Sequence, residues 1–301
     1  MTRSCFIAFF HVLVLGVQLA LVSSSEATIA SQGRDLASRI IGGSEAKLGR
    51  FPYFAYVMVS DTGGQAWFCG GSLIARDVVL TAGHCLVSDN SWTNVTDIDV
   101  WVNSSATEYT EYQHYRQGLQ WVVHPDFDIQ STYANDIGLI FLDELVEGVT
   151  LVKMNRDASI PVSIDPPALT AIGLGYTFWN ESTGDKTRPK LLMQVPIYPS
   201  PTLYCAKLYG SWNSGTSSIC AGGNGVTGIC YGDSGSPLLL KKTSAGSDVQ
   251  VGITSFGGSA DCVKVDYPDS YTRVSSFATW IDEQICEYSM DEKFKTTHCK
   301  N

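Results

Sequence analysis

From residue 40 onward the apolar positions fall into short runs, among them Phe54 to Val59, Val78 to Thr81, Leu119 to Val123, Leu191 to Ile197 and Val249 to Phe256. Each run is rich in β-branched or aromatic residues, and clusters of Gly, Asp, Asn, Ser and Pro separate them. That texture predicts strands joined by turns. No strand–helix alternation runs along the chain, so a parallel sheet is not expected. Near the end, Val274, Phe277, Trp280, Ile281, Ile285 and Tyr288 follow helical spacing, with Ser275 or Ser276 placed to cap the start. A short amphipathic helix is therefore expected to close the chain. The stretch from Asn155 to Pro167 lacks a period and contains prolines, which makes it the candidate connection between two halves, about 40–155 and 156–287.

The first residues have a different texture. Arg3 precedes an apolar run from Phe6 to Val22, and Ser23, Ser24 and Ser25 follow it. Charge, apolar stretch and small residues in that order predict a secretory signal peptide over about 1–24. The run approaches the length of a membrane anchor, but His11 lowers its hydrophobicity. No other stretch is long and apolar enough to span a bilayer, so no membrane attachment is expected after signal removal, and the expected location is extracellular.

Composition supports this picture. An apolar share of 44% with 17% charged residues suits a chain with a real core, and 28 glycines suit many turns. Cys5 lies in the leader, leaving Cys69, Cys85, Cys205, Cys220, Cys230, Cys262, Cys286 and Cys299. An even set in a secreted chain predicts disulfides. Asn94, Asn103 and Asn180 each begin an Asn-x-Ser/Thr triplet and are candidate glycosylation sites. The net charge is −10, an acidic balance that repels phosphate backbones and argues against nucleic acid as a partner.

Three strings carry candidate chemistry: Thr81-Ala82-Gly83-His84-Cys85, Asn135-Asp136-Ile137-Gly138-Leu139-Ile140 and Gly232-Asp233-Ser234-Gly235-Ser236-Pro237. A serine hydroxyl is a poor nucleophile until a base takes its proton, and the base needs a third group to fix its tautomer. The strings supply Ser, His and Asp in turn-rich settings. Together, and in this order, they resemble the motifs of the chymotrypsin-like serine proteases, from Ile40 to about Glu287.

The resemblance implies an all-β fold of two packed antiparallel six-stranded β-barrels with a C-terminal α-helix. It further implies Ser234 as nucleophile, His84 as base and later acid, and Asp136 as the orienting carboxylate. Backbone N–H groups of Gly232 and Ser234 would form the oxyanion hole. Arg39-Ile40-Ile41-Gly42-Gly43 resembles the family's activation site, making 25–39 a propeptide. Cleavage after Arg39 would free an ammonium on Ile40 to pair with Asp233. The implied bridges are Cys69–Cys85, Cys205–Cys220 and Cys230–Cys262; Cys286 and Cys299 have no assigned counterpart and would pair with each other in a tail over 288–301, or with another chain.

For specificity, the residue six before the nucleophile is Gly228, where the trypsin-like branch carries aspartate. Asp269 aligns with the deep wall of the pocket and would supply charge from another side, an arrangement similar to that of the broad-specificity crustacean collagenolytic proteases. Gly257 on the rim would admit a large P1 group. Ser255, Phe256 and Gly257 would pair with an extended substrate, and Ser255 would help to hold Asp136. The expected P1 range includes Arg and Lys as well as large apolar residues; the bland alternative has Asp269 facing solvent on a turn. Ser236, Gly138 and Phe256 depart from the usual glycine, alanine and tryptophan.

The expected partners are protein or peptide substrates, an activating protease and protein inhibitors, acting on a monomer that needs no cofactor and no metal. A protease-like binding or inhibitor module is the competing class, although such proteins typically lack part of the triad. A lipase-type Gly-x-Ser-x-Gly elbow does not fit the spacing around Ser234.

Overall fold

Alternation of buried and half-exposed residues builds the first strands. In β2 (Phe54–Asp61), Ala55, Val57 and Val59 point inward while Tyr56, Met58 and Ser60 are only partly covered. The computed structural model describes residues 40–299, except 88–93, 107–112, 131, 162–167, 181, 211–215, 243 and 261. The expected signal segment, propeptide and Arg39 lie outside the described residues, as do residues 162–167 of the connection between the halves.

A short β1 (Ser44–Glu45) precedes β2, which is followed by β3 (Ala66–Ala75), β4 (Val78–Thr81), β5 (Val95–Val102), β6 (His114–Val123) and β7 (Gly138–Leu142). β2 to β7 close into a six-stranded barrel in the order β2-β3-β4-β7-β6-β5. Val57 lies opposite Cys69 on one side and Val100 on the other, so the buried faces of three strands share one register. β4 and β7 are buried throughout, as their unbroken apolar runs require.

The second half contains β8 (Lys153–Met154), β9 (Leu169–Gly173), the small hairpin β10 (Phe178–Trp179) and β11 (Lys186–Thr187), then β12 (Met193–Ile197). Helix α1 (Thr202–Tyr209) leads to β13 (Ser218–Ala221), β14 (Pro237–Leu240), β15 (Val249–Phe256) and β16 (Asp269–Arg273). The ladder runs β12-β9-β14-β15-β16-β13, with β1 and β8 added at β12 and β15. A bridge from Pro199 to Ala221, just past β12, brings its two ends together. The expected twin-barrel, all-β architecture is therefore present, the second barrel closing through a bridge instead of a full ladder.

Both chain ends cross to the opposite half. β1 pairs with β12 of the second barrel. At the other end, Val274, Phe277, Ile281 and Ile285 pack into the core of the first barrel, each such burial contributing about 1.5–3 kcal/mol. The expected single helix is two segments: a 3₁₀ turn over Val274–Phe277 and helix α2 (Ala278–Tyr288). The capping expectation fails. No side chain caps α2, and Ser276 Oγ instead donates to the Thr216 carbonyl. The tail forms α3 (Glu292–His298), capped by Asp291, whose carboxylate also takes two bonds from the Arg76 guanidinium. All three implied disulfides form, and Cys286 pairs with Cys299.

The interface between the barrels is fixed by buried polar groups that find side-chain partners across it. Asp248 of the second half is fully buried and accepts from Arg50 Nη1 at 2.5 Å, Arg50 Nη2 at 2.9 Å and Tyr53 O–H at 2.7 Å. Ser72 Oγ donates to Gln250 Oε1 at 2.6 Å nearby. Removing one member leaves the others desolvated without a partner. Asp248→Ala is expected to lower the unfolding free energy by about 3–5 kcal/mol in urea denaturation. A loss below about 1 kcal/mol would mean that the pair behaves like an exposed one.

Candidate active site

Three side chains of the sequence motifs meet where the barrels face each other. His84 stands in the 3₁₀ turn after β4, with the Cys69–Cys85 disulfide holding that turn to β3. Asp136 immediately precedes β7 and is fully buried. Its Oδ1 accepts from the His84 backbone N–H at 2.8 Å, and its Oδ2 lies 2.8 Å from His84 Nδ1. From the second barrel, Ser255 Oγ donates to the same Oδ2 at 2.5 Å, as expected from the sequence, and Thr272 donates to the Asp136 carbonyl. Burial pushes the His84 imidazole toward neutrality, but the charge and hydrogen bond of Asp136 outweigh it and leave its pKa raised.

Ser234 and His84 line a cleft of about 490 Å³ together with Tyr133, Tyr231, Ser255, Phe256 and Gly257. The Ser234 loop is pinned to both barrels: Gly70 N–H donates to the Ser234 carbonyl at 2.7 Å, and Gly235 N–H to that of Thr254 at 2.9 Å. Gly232 has φ +93°, a conformation that glycine adopts freely. Among the described residues the N–H groups of Gly232 and Ser234 have no acceptor, and no hydrogen bond joins Ser234 to His84.

Two further carboxylates lie behind the cleft. Asp233 is fully buried and accepts from Gly175 N–H at 2.8 Å and Cys230 N–H at 2.9 Å. Burial pushes its pKa up to about 7, with those two donors and the Arg188 charge pulling back. Asp269 is 2% exposed in β16, which overturns the alternative of a solvent-facing turn residue. It accepts from Ile229 and Gly258 N–H groups at 3.3 and 3.2 Å. Burial pushes it up to about 8. A Cβ on Gly228 would stand 2.7 Å from Val263 Cγ1 and 3.2 Å from Asp269 Oδ2, and one on Gly257 3.6 Å from Oδ1, so glycine at both positions avoids crowding against the carboxylate.

The departures from the family pattern have local reasons. Leu86 Cδ1 occupies the space a methyl on Gly138 would need, Ser236 packs its hydroxyl against Gly70, and Phe256 stands edge-on to Tyr133 and Tyr209. Tyr133 and Tyr231 were not singled out from sequence. Both flank motif residues, Tyr133 three before Asp136 and Tyr231 beside Gly232, and that adjacency was the available signal. The one metal-like cluster among the described residues, Cys69, His84 and Cys85, has both sulfurs committed to a disulfide. No described helix is long and apolar enough to cross a membrane.

Two facing β-barrels with this cleft between them define a serine endopeptidase. The family model described as Trypsin matches residues 40–281, and the chain belongs to the trypsin family. It is 33% identical to the CLIP domain-containing serine protease B10 of Anopheles gambiae, over 83% of this chain and 70% of that protein. It is 32% identical to the vitellin-degrading protease of Bombyx mori, over 82% and 86%. Among solved structures it is similar to the HL collagenase, at a TM-score of 0.68 and 25% identity, covering 81% of this chain and 98% of that one.

The raised carboxylates predict how the uncut chain responds to pH. Unfolded, both titrate near the ordinary value of 3.8; folded, they hold their protons until about pH 7 and 8. Between those limits the native state binds more protons than the unfolded one, so this contribution to stability is lost as pH rises. Asp233→Asn and Asp269→Asn should each reduce the fall in Tm between about pH 4 and 8. An undiminished fall in both variants would contradict it.

Proposed function

We propose that Ser234 is the nucleophile of this endopeptidase, His84 its base and Asp136 the group that orients His84. The observation that carries this is the pair of hydrogen bonds that Asp136 makes with His84, accepting from its backbone N–H and meeting its Nδ1, which leaves Nε2 for the cleft that Ser234 lines. Nε2 takes the Ser234 proton as Oγ bonds to the scissile carbonyl carbon. The oxyanion accepts from the N–H groups of Gly232 and Ser234, and His84 returns the proton to the leaving amine. Water then hydrolyses the acyl-enzyme by the same steps in reverse. The Ser234–His84 hydrogen bond closes when substrate fills the cleft, as is common for catalytic groups that lie apart in the free enzyme.

Activation by cleavage after Arg39 is part of the same proposal. The Ile40 side chain is fully buried in the second core, and Gly228 N–H donates to the Ile41 carbonyl. The amino-terminal segment is thus docked beside the loop that leads to Asp233, a buried carboxylate whose close donors are backbone N–H groups. A freed Ile40 ammonium would give it a cation. The leader over 1–24, secretion, and glycosylation at Asn94, Asn103 and Asn180 belong to this reading on sequence grounds.

For specificity, the buried Asp269, bordered by Gly228 and Gly257, is read as the floor of a P1 recess whose range includes Arg and Lys. Because its carboxyl is neutral below about pH 8, the recess also accepts large apolar groups.

Protein processed to begin at Ile40 should cleave a peptide library varied at P1, and Ser234→Ala should abolish cleavage. Arg39→Gln should leave the precursor uncut and nearly inert; full activity of the uncut form would remove the activation step. Asp269→Ser should cut kcat/KM for Arg and Lys substrates by about ten-fold or more, the scale of a lost charge-assisted bond. In the parent enzyme the Arg-to-Phe ratio should rise with pH as Asp269 ionises. Unchanged Arg hydrolysis in Asp269→Ser would reject the charged recess.

A further inference from the structure

Arg188 is a cation close enough to the buried Asp233 to act on it by charge, yet among the described residues it forms no ion pair with a carboxylate. It follows the small hairpin of β10 and β11, and its guanidinium lies over the Phe68 ring at 4.6 Å and the Tyr176 ring at 5.1 Å. Nη1 donates to Tyr56 O–H at 3.2 Å. Among the described residues no carboxylate forms an ion pair with it and Nη2 donates to nothing. Nη2 stands 3.9 Å from the point where a Cβ on Gly232 would be. Two aromatic faces and one tyrosine hydroxyl therefore hold the plane of the guanidinium still, with one edge unspent and next to the oxyanion donors.

The side of the cleft matters. Beyond Ser234 the cavity is walled by Ile229, Cys230, Ser255 to Gly257 and Cys262, with Asp269 behind the Ile229 and Gly258 N–H groups; in the function proposed above it takes residues that precede the scissile bond. Neither Arg188 nor its stacking partners line that cavity. Arg188 instead approaches Gly232 from outside that cavity, over Phe68, the neighbour of the bridged Cys69, and we infer that the leaving peptide runs along this side. Lys186 adds a second charge, with Nζ 5.4 Å from the centre of the Tyr176 ring. On a chain of net charge −10, Lys186, Arg188 and Lys190 form a local basic run in the sequence.

We propose that Arg188 is a specificity-determining residue for the leaving side of the substrate, selecting an acidic side chain within the first two residues after the scissile bond. The fixed guanidinium offers a carboxylate a charge-assisted bond at little cost in side-chain entropy. Lys186 strengthens the field without fixing the geometry. The inference rests on the roles given above to Gly232 and Ser234.

The test uses peptides of one sequence, with the P1 residue the library favours and Glu or Gln at the first or second position after the cut. The processed enzyme should show a kcat/KM about ten-fold higher for Glu than Gln at one of the two positions, mostly in KM. Arg188→Gln should bring that ratio close to one, and Arg188→Lys should recover part of it. Because Arg188 also faces Asp233, a purely structural role would lower both peptides together and keep the ratio, which would overturn the proposal. A ratio near one in the parent enzyme would overturn it as well. If Arg188→Gln does not fold, Arg188→Lys and salt carry the test: a Glu advantage that fails to shrink between about 0.05 and 0.5 M NaCl overturns it. Acylation by a small activated ester, which has no leaving peptide, separates the two readings. A burst without Glu selection sinks this inference alone, whereas no Ser234-dependent burst sinks the assignment of the nucleophile.

Discussion

A carboxylate removed from water must be given hydrogen-bond donors in place of the solvent it has lost, and at Asp136 those donors come from both barrels. His84 supplies two from the first barrel, and Ser255 supplies one from the second. The carboxylate that orients the imidazole is thus fully satisfied only when the barrels are docked. The rest of the interface has the same character: Asp248 is satisfied by Arg50 and Tyr53, Gln250 by Ser72, and the Ser234 carbonyl by Gly70. Apolar contact alone would allow the barrels to slide by a fraction of an ångström. A set of short, directional bonds across the seam does not, and a proton relay needs that precision.

The carboxylates behind the cleft are treated differently. Asp136 and Asp248 receive side-chain donors, whereas the close donors of Asp233 and Asp269 are backbone N–H groups. Partial dipoles offset less of the desolvation than a cation does, and so both groups keep a proton into the neutral range. Each is a site where an incoming positive charge gains more than it would at the surface. In the function proposed above, those charges are the freed Ile40 ammonium at Asp233 and a basic P1 side chain at Asp269.

The strands and reacting residues were legible because each carries a local signal. Val78–Thr81 and Val249–Phe256 match the observed strands to the residue, because short runs rich in β-branched residues end there at turns. His84, Asp136 and Ser234 sit in short strings whose neighbours serve the same turn. Legibility ended where partners lie far apart in sequence. Ser276 looks like a helix cap but bonds to Thr216, because a 3₁₀ turn intervenes before α2. Helix α3 is short and polar, stabilised by Arg76 and a disulfide more than by its own pattern, so periodicity could not reveal it. The stacking of Arg188 between Phe68 and Tyr176 joins three segments that no single window contains.

The exchange of chain ends between the barrels affects the order in which the molecule can form. The first barrel's strands are complete by Leu142, yet its core still lacks Val274, Phe277, Ile281 and Ile285. On the ribosome, that barrel must wait for more than 130 further residues before its open face is covered. The reacting groups therefore come into register only after nearly the whole chain has been made. A nascent fragment lacks a working cleft, and synthesis itself delays the appearance of proteolytic activity.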